Sequence, residues 1–165
     1  MTMTIRPARV DEYEAVGELV VRAYSTLPDR VPAYDAVLRD VAGRAATAEV
    51  LVAETEGAVV GTVTFVPGPG PQAEVDDPDA AAIRMLGVAP EARGKGVGAA
   101  LVEECIGRAR KLGRLRVLLD TRQSMEAAHR VYDRAGFRRA SELDRRPAEA
   151  PDLLLLGYRL DLPHG

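Results

Sequence analysis

The apolar residues of this chain recur with two different periods. In the first part, after a short strand predicted at residues 3–8, they follow the spacing of amphipathic helices. This spacing predicts two helices, at residues 10–24 and 33–46. The period then changes to one typical of buried strands, rich in valine and threonine. Two such strands, residues 49–57 and 58–68, join at Glu56-Gly57, a pair that favours the tight turn of a β-hairpin.

A proline-rich loop separates this hairpin from the second part of the chain. Residues 67–80 hold four prolines and two glycines, so we expect a mobile loop there. Strands at residues 81–88 and 114–120 are each followed by a helix, at residues 96–112 and 124–135, and two further strands follow at residues 137–143 and 152–162. Because no repeat or linker interrupts this pattern, it predicts a single α/β domain over residues 1–165 with a mixed sheet.

Composition and charge limit the function classes. The net charge of −3 argues against a general nucleic-acid binder, because such proteins are usually basic over a whole face. Cys105 is the single cysteine, and the two histidines, His129 and His164, lack a second ligand at metal spacing, so neither a disulfide nor a metal site is expected. No apolar stretch matches a signal peptide or a membrane span, so we expect a cytoplasmic protein without membrane partners. We expect it to be a monomer or a homodimer.

Residues 91–110, EARGKGVGAALVEECIGRAR, place three glycines at alternate positions before an apolar helical stretch. Each glycine inside a helix costs about 1 kcal/mol relative to alanine, so Gly94, Gly96 and Gly98 need another reason. At the first turn of a helix the backbone N–H groups lack acceptors and lie at the positive end of the helix dipole. Glycines there let an anion such as a pyrophosphate approach the backbone.

Two phosphate-binding patterns compete for this segment. The P-loop does not fit, because Gly96 follows Lys95 where that pattern needs serine or threonine. The dinucleotide fingerprint fits in its relaxed form, Gly94-x-Gly96-x-x-Ala99, with Asp120 at the distance of a ribose-binding acid. The residues APEAR between the preceding strand and the first glycine, and the short remainder after Asp120, count against it. A dinucleotide-binding domain therefore stays a minor alternative.

A third pattern fits in full. Arg93-x-x-Gly96-x-Gly98, after a strand and a turn that contains proline, resembles motif A of the GNAT acetyltransferases. The resemblance extends over nearly the whole chain, because IRPARVDEYEAV is similar to the family's first strand and helix, and AAHRVYDRAGF to its late helix. It implies a mixed, mostly antiparallel sheet of six or seven strands flanked by about four helices, with residues 81–88 and 114–120 as the parallel pair.

The resemblance also implies acetyl-CoA as the cosubstrate and the residues that bind it. The pyrophosphate would lie on the glycine-rich turn and its two basic side chains, formed by Arg93, Gly94, Lys95, Gly96, Val97, Gly98 and Ala99. In this family the strand before motif A splays from its neighbour, and Gly87 would permit a bulge there. The free amides of Leu86, Gly87 and Val88 would then contact the pantetheine arm and polarise the thioester carbonyl.

For the chemistry, Tyr132 lies where the family's general acid lies, and a phenol is protonated at neutral pH. Without the motif, Tyr132 would be interpreted as a core residue. Asp120 matches the catalytic glutamate of the bacterial ribosomal-protein alanine N-acetyltransferases, but an acid satisfied by backbone amides fits equally well, so the base stays open. The acids of the proline-rich loop, Glu74 among them, could contribute. Met125 replaces an asparagine that often contacts the cofactor in this family.

The activity implied is transfer of an acetyl group from acetyl-CoA to a primary amine by direct attack in a ternary complex. The acceptor is a small-molecule amine or a protein N-terminus, and the segments expected to form its pocket, residues 25–34 and 144–151, mix arginine with acids and show no charge preference. A non-catalytic acyl-CoA-binding module is the alternative, suggested by the missing glutamate in the strand before motif A and by Met125.

Overall fold

The computed structural model describes residues 2–163, and seven strands of this range form one sheet. In chain order the strands are β1 (Met3–Pro7), β2 (Glu49–Thr55), β3 (Ala58–Val66), β4 (Ala80–Val88), β5 (Arg116–Arg122), β6 (Arg138–Arg139) and β7 (Leu155–Asp161). Their order across the sheet is β1-β2-β3-β4-β5-β7-β6. β4 and β5 are parallel, and the other neighbouring strands are antiparallel, so the predicted mixed sheet and its parallel pair are confirmed.

This topology decides between the folds that the glycine-rich turn allowed. A dinucleotide-binding domain needs a mostly parallel sheet, which the described residues do not form. That alternative is therefore wrong. The predicted hairpin is present as well, because Glu56 and Gly57 have φ values of 51° and 80°, the left-handed conformation that a type I′ turn requires at both central residues.

Five α-helices occur in the described range: α1 (Tyr13–Ser25), α2 (Asp35–Arg39), α3 (Val41–Ala45), α4 (Val97–Lys111) and α5 (Glu126–Ala135). The helix predicted at residues 33–46 is therefore two short helices. Asp40 separates them, because its ψ of 63° breaks the helix and its side chain accepts a hydrogen bond from the N–H of Gly43. Asp40 thus acts as the N-cap of α3.

The helices α1 and α4 cover opposite faces of the sheet. A Cβ at Gly87 of β4 would lie 3.5 Å from Ala23 of α1, whereas one at Gly61 of β3 would lie 2.6 Å from Val97 of α4. Gly87 pairs with Thr62, the neighbour of Gly61, and successive residues of a strand face opposite sides. The apolar stripe of the amphipathic helix α1 is buried against the face of the sheet that α1 covers. It consists of Val16, Leu19, Val20 and Ala23.

The last part of the chain has less strand than predicted. The strand expected at residues 137–143 is limited to β6, because Ser141–Leu143 form a 3₁₀ turn that packs against Gly157 of β7. β7 begins at Leu155 and not at residue 152, because a turn closed by the Leu153 N–H and the carbonyl of Ala150 precedes it.

Candidate active site

β4 separates from β5 partway along its length. The two strands pair as far as Ile83 and Leu119, and no further pair between them occurs among residues 2–163. Met85 has a φ of 53°, and the register of β4 with β3 shifts there, which marks a β-bulge. The expected splay is thus present, with the bulge at Met85 instead of Gly87. The backbone of residues 86–88 has no partner strand on the β5 side.

The glycine-rich turn presents free donors at the start of α4. The first helical hydrogen bond runs from the N–H of Ala100 to the carbonyl of Gly96, and the N–H groups of residues 94–99 have no acceptor in the described chain. Gly94 and Gly96 have φ values of 79° and 81°, and a Cβ at either would have no atom within 4 Å. These donors at the positive end of a 15-residue helix form a cradle that suits a pyrophosphate.

The side chains around this turn have different environments. Lys95 and Ala99 are exposed, whereas Val97 is buried against the sheet, so only its N–H can serve a ligand. Arg93 turns towards the C-terminal end of α1, where its Nη2 donates to the carbonyl of Ala23 at 3.1 Å. Arg93 therefore fixes the turn against α1 and places its positive charge beside the cradle.

A cleft runs from this turn between the end of α1 and the start of α5. It brings together most of the residues expected to bind the cosubstrate, namely Leu86, Gly87, Val88, Arg93, Gly94 and Gly98, with Ser124 and Met125 on the opposite side. A second cavity opens where β4 and β5 have separated, and it shares Tyr24, Leu86 and Met125 with the cleft. Molecules bound in the two spaces would meet at these three side chains.

Tyr132 lines the second cavity from α5. Its side chain is 3% exposed and packs edge-on against Phe137, with ring centroids 5.8 Å apart. Its hydroxyl forms no hydrogen bond within residues 2–163. Burial, and after it the neighbouring Tyr24 and Asp120, raise the pKa of Tyr132 well above its ordinary value of 10.0. The hydroxyl thus keeps its proton and can donate it into the cavity.

Glu74 reaches the same cavity from the proline-rich loop and joins Asp120 there. Arg145 contacts both carboxyl groups, through Nε with Asp120 at 2.6 Å and through Nη2 with Glu74, and the Nε of Arg84 contacts Glu74 at 2.5 Å. Burial, the hydrogen bond to Asp120 and the charge of Asp120 raise the pKa of Glu74, while the two arginines act in the opposite direction. The pair holds a proton more tightly than an isolated glutamate does.

These contacts change two sequence interpretations. Asp120 is part of β5, and its carboxylate accepts from Arg145 in place of the backbone amides that one interpretation expected. The proline-rich loop, expected to be mobile, is held at two points, because Glu74 pairs with two arginines and Asp77 pairs with Arg116 at 3.2 Å. The loop thus delivers a carboxyl group to the cavity.

Sequence reasoning did not single out Arg122, Tyr24 and Tyr34, which also line the cavity. The guanidinium carbon of Arg122 lies 5.0 Å and 5.6 Å from the centroids of the two tyrosine rings. A signal was available, since Arg122 follows Asp120 by two residues and therefore shares its face of the strand. His129 of α5 is half-buried, and its Nε2 lies 2.9 Å from the carbonyl oxygen of Arg122.

Three further features of the described residues bear on function. No group of three or more His, Cys, Asp or Glu side chains within residues 2–163 could hold a metal ion. Cys105 of α4 is buried in the hydrophobic core. In the same part of the chain, no helix is both long and apolar enough to cross a membrane.

Solved structures share this fold over nearly the whole chain. The protein yncA of Salmonella typhimurium, solved with its cofactor acetyl-CoA, gives a TM-score of 0.70 at 24% identity and covers 100% of this chain and 96% of its own. An acetyltransferase of the GNAT family from Staphylococcus aureus gives a TM-score of 0.77 at 16% identity and covers 98% of this chain and 100% of its own. A ribosomal-protein-alanine N-acetyltransferase from Brucella melitensis gives a TM-score of 0.69 at 22% identity and covers 96% of this chain and 99% of its own.

Sequence comparison identifies the family. The family model described as the acetyltransferase (GNAT) family matches residues 13–137. This chain therefore belongs to the GNAT acetyltransferases, as its glycine-rich motif implied. No curated protein matches the chain.

Proposed function

We propose that this protein transfers the acetyl group of acetyl-CoA to a primary amine by direct attack in a ternary complex. The observation that carries the proposal is the meeting of two spaces, a cleft that begins at six free backbone donors and a cavity that holds an acid pair and a tyrosine hydroxyl. Family membership supplies the reaction class, and the arrangement of the two spaces fits two substrates bound together.

Acetyl-CoA fits the cleft as cosubstrate. The pyrophosphate suits the N–H groups of residues 94–99, with Arg93 and Lys95 adding positive charge nearby. The pantetheine arm suits the unpaired backbone edge of residues 86–88, where one amide can donate to the thioester carbonyl and stabilise the developing oxyanion. The neighbour yncA was solved with acetyl-CoA, which agrees with this choice of ligand.

The acid pair removes the proton that the amine must lose. An ammonium group is not nucleophilic, so a base is needed before the nitrogen attacks the carbonyl carbon. Glu74 and Asp120 act together as this base, with Glu74 carrying the proton because its pKa is raised towards the working pH. Arg145 and Arg84 hold the two carboxyl groups in place. The missing glutamate in β4 is thus replaced by one from the loop before it.

Tyr132 provides the proton for the leaving group. When the new C–N bond has formed and the C–S bond breaks, negative charge develops on sulfur, and the buried hydroxyl of Tyr132 donates to it. The products are the acetylated amine and the free thiol of CoA. The nitrogen loses two protons on its way to the amide, one to the acid pair before attack and one after the C–N bond has formed. One of them, by way of solvent, replaces the proton that Tyr132 gave to the thiolate, and the other is released to solvent.

The test is acetyl transfer to a panel of primary amines, with release of the CoA thiol followed spectroscopically. We expect release that depends on the amine and a stabilisation by acetyl-CoA that NAD does not give, about 2.7 kcal/mol when the ligand is at about 100 times its Kd. Slow hydrolysis of acetyl-CoA that no amine accelerates would identify the non-catalytic acyl-CoA-binding module instead.

A further inference from the structure

Arg122 is a buried cation without a carboxylate partner. Its side chain, at the end of β5, is 3% exposed, and no acidic group within residues 2–163 forms a salt bridge with it. Its Nη1 donates a hydrogen bond to the carbonyl of Asp29 at 3.3 Å, and the centroid of the Tyr24 ring lies 5.0 Å from its guanidinium carbon. Burying a charge is costly unless it is paired, so a group of this kind indicates a missing anion.

The charges around the cavity lead to the same conclusion. Three arginines and two acids line it: Arg84, Arg122, Arg145, Glu74 and Asp120. The two acids are bound by Arg84 and Arg145, which leaves the charge of Arg122 in excess. An amine acceptor that enters as a cation would increase this excess. An acceptor that also carries an anion would neutralise it.

Two tyrosines supply further donors beside Arg122. Tyr24 of α1 and Tyr34 of the 3₁₀ turn before α2 line the cavity, and neither hydroxyl forms a hydrogen bond with another described residue. Burial raises the pKa of both phenols, so both keep their protons. Protonated hydroxyls next to a guanidinium group can donate to the oxygens of an anion.

We propose that the acceptor is a small amine that also carries a carboxylate or phosphonate, and that Arg122 binds this anion. The inference rests on the proposed function and names the substrate class of the same site. Asp120 and Arg122 are two residues apart on one face of β5, a distance of about 7 Å along the strand. An acceptor whose amine lies at the acid pair and whose anion lies at Arg122 is therefore compact, as in an amino acid.

The competing explanation gives Arg122 a purely structural role, holding the segment at Asp29 and packing on the tyrosines. Loss of stability in a variant would not separate the two explanations. A comparison of ligand affinities separates them, because an arginine with a purely structural role would bind an acceptor with an anion no more tightly than the same acceptor without one.

The experiment compares matched ligands in the wild-type chain. Each pair consists of an α-amino acid and the amine obtained by removing its carboxylate, for example phenylalanine and phenethylamine, with the aminophosphonate as a third member. Binding is measured by calorimetry to protein saturated with CoA, and acetyl transfer is measured separately with acetyl-CoA. We expect the carboxylate and phosphonate members of at least one series to bind about tenfold to a hundredfold more tightly than the bare amine.

Three variants assign this preference to the side chain. In Arg122→Gln the ratio of affinities should fall towards one, and Arg122→Lys should restore part of it by restoring the charge. Arg116→Gln, a change of the same kind at the other end of β5, should keep the wild-type ratio, because Arg116 pairs with Asp77 away from the cavity. Circular dichroism and urea unfolding check that each variant is folded.

The outcomes separate this inference from the proposed function. Acetylation of amines without any preference for anionic members would overturn the inference and leave the proposed function standing. Tight binding of the anionic members through Arg122 without any acetyl transfer would support binding of the anion by Arg122 and overturn the proposed function. A preference that persists in Arg122→Gln, or the absence of binding by every series, would overturn the inference as well.

Discussion

The carboxyl groups of Glu74 and Asp120 share one guanidinium group, that of Arg145. Glu74 belongs to a loop, Asp120 to β5 and Arg145 to the segment before β7, so the cluster forms only when the sheet is complete. Burial raises the pKa of Glu74, and the neighbouring Asp120 raises it further, because two carboxyl groups so close together cannot both ionise easily. The pair is therefore suited to take up one proton near neutral pH.

The first prediction concerns the pH dependence of acetyl transfer. Because Asp120 raises the pKa of Glu74, Asp120→Asn should lower that pKa and shift the acid limb of the kcat/KM profile to lower pH. Glu74→Gln should remove the limb and reduce kcat by about 10²-fold, the usual scale for losing a general base. The measurement is kcat/KM against pH for each variant.

Asp77→Asn is the matched control for these two variants. Asp77 lies on the same loop and forms an ion pair with Arg116, yet it does not line the cavity. Its acid limb should keep the wild-type position, because the two ion pairs of Glu74 still hold the loop at the cavity. If Glu74→Gln kept the wild-type acid limb, Glu74 would not be the group that titrates.

The second prediction separates acid catalysis from packing at Tyr132. Tyr132→Phe keeps the ring against Phe137 but removes the hydroxyl that faces the cavity. Binding of acetyl-CoA should stay near the wild-type value while kcat falls by about 10²-fold. Tyr158→Phe is the control, because its ring lies 6.1 Å from that of Tyr132 and does not line the cavity. Equal turnover of the two variants would exclude Tyr132 from the mechanism.

The third prediction tests the pyrophosphate cradle through a helical glycine. A side chain at Gly96 would be strained, because this residue has a φ of 81°. Gly98 is the better position, because a Cβ there would lie 3.8 Å from Val131 and Val88, which is an ordinary contact. Gly98→Glu adds a negative charge at the start of α4 without harming the helix. We expect the Kd for acetyl-CoA, measured by calorimetry, to rise at least about tenfold.

Gly107→Glu makes the same substitution in the same helix, at a position where a Cβ has no atom within 4 Å. Both variants should be at least as stable as the wild type, because glutamate favours a helix by up to about 1 kcal/mol over glycine. Unchanged affinity in Gly98→Glu, or equal weakening in both variants, would place the phosphates elsewhere.

Local patterns explain the parts of the fold that the sequence could predict. The apolar stripe of α1, the Glu56-Gly57 hairpin and the glycine-rich turn each depend on residues adjacent in the chain. The parallel pairing of β4 and β5 followed from the helix that connects them. The break at Asp40 was missed because the apolar spacing continues across it, while a cap depends on one side chain.

The acid pair and the arginines of the cavity show what such patterns omit. Glu74 stood among several loop acids, and nothing in its neighbours distinguished it from a solvated charge. Arg145 and Arg122 are two arginines in a chain rich in them. Their roles depend on which elements the sheet brings together, and that information is spread over the whole chain.

The fourth prediction concerns Gly157, which the sequence pattern did not single out. A Cβ at this position of β7 would lie 2.5 Å from the Cβ of Leu143 and 2.7 Å from the carbonyl oxygen of Ala140. The backbone turn over β7 cannot yield as a flexible side chain can, so Gly157→Ala should lower the free energy of unfolding by about 1–3 kcal/mol. Urea unfolding measures this change, with Gly107→Ala as a control that should gain up to about 1 kcal/mol.

The same substitution should also affect catalysis, because Gly157 pairs with Asp120 across β5 and β7. Any displacement of β7 would move Asp120 relative to Arg145, whose segment packs beside the same strand. We therefore expect a lower kcat in Gly157→Ala under conditions where the variant is fully folded, with the KM for acetyl-CoA unchanged because no residue of β7 lines the cleft. Wild-type stability and turnover in Gly157→Ala would mean that the turn over β7 is looser than its contacts indicate.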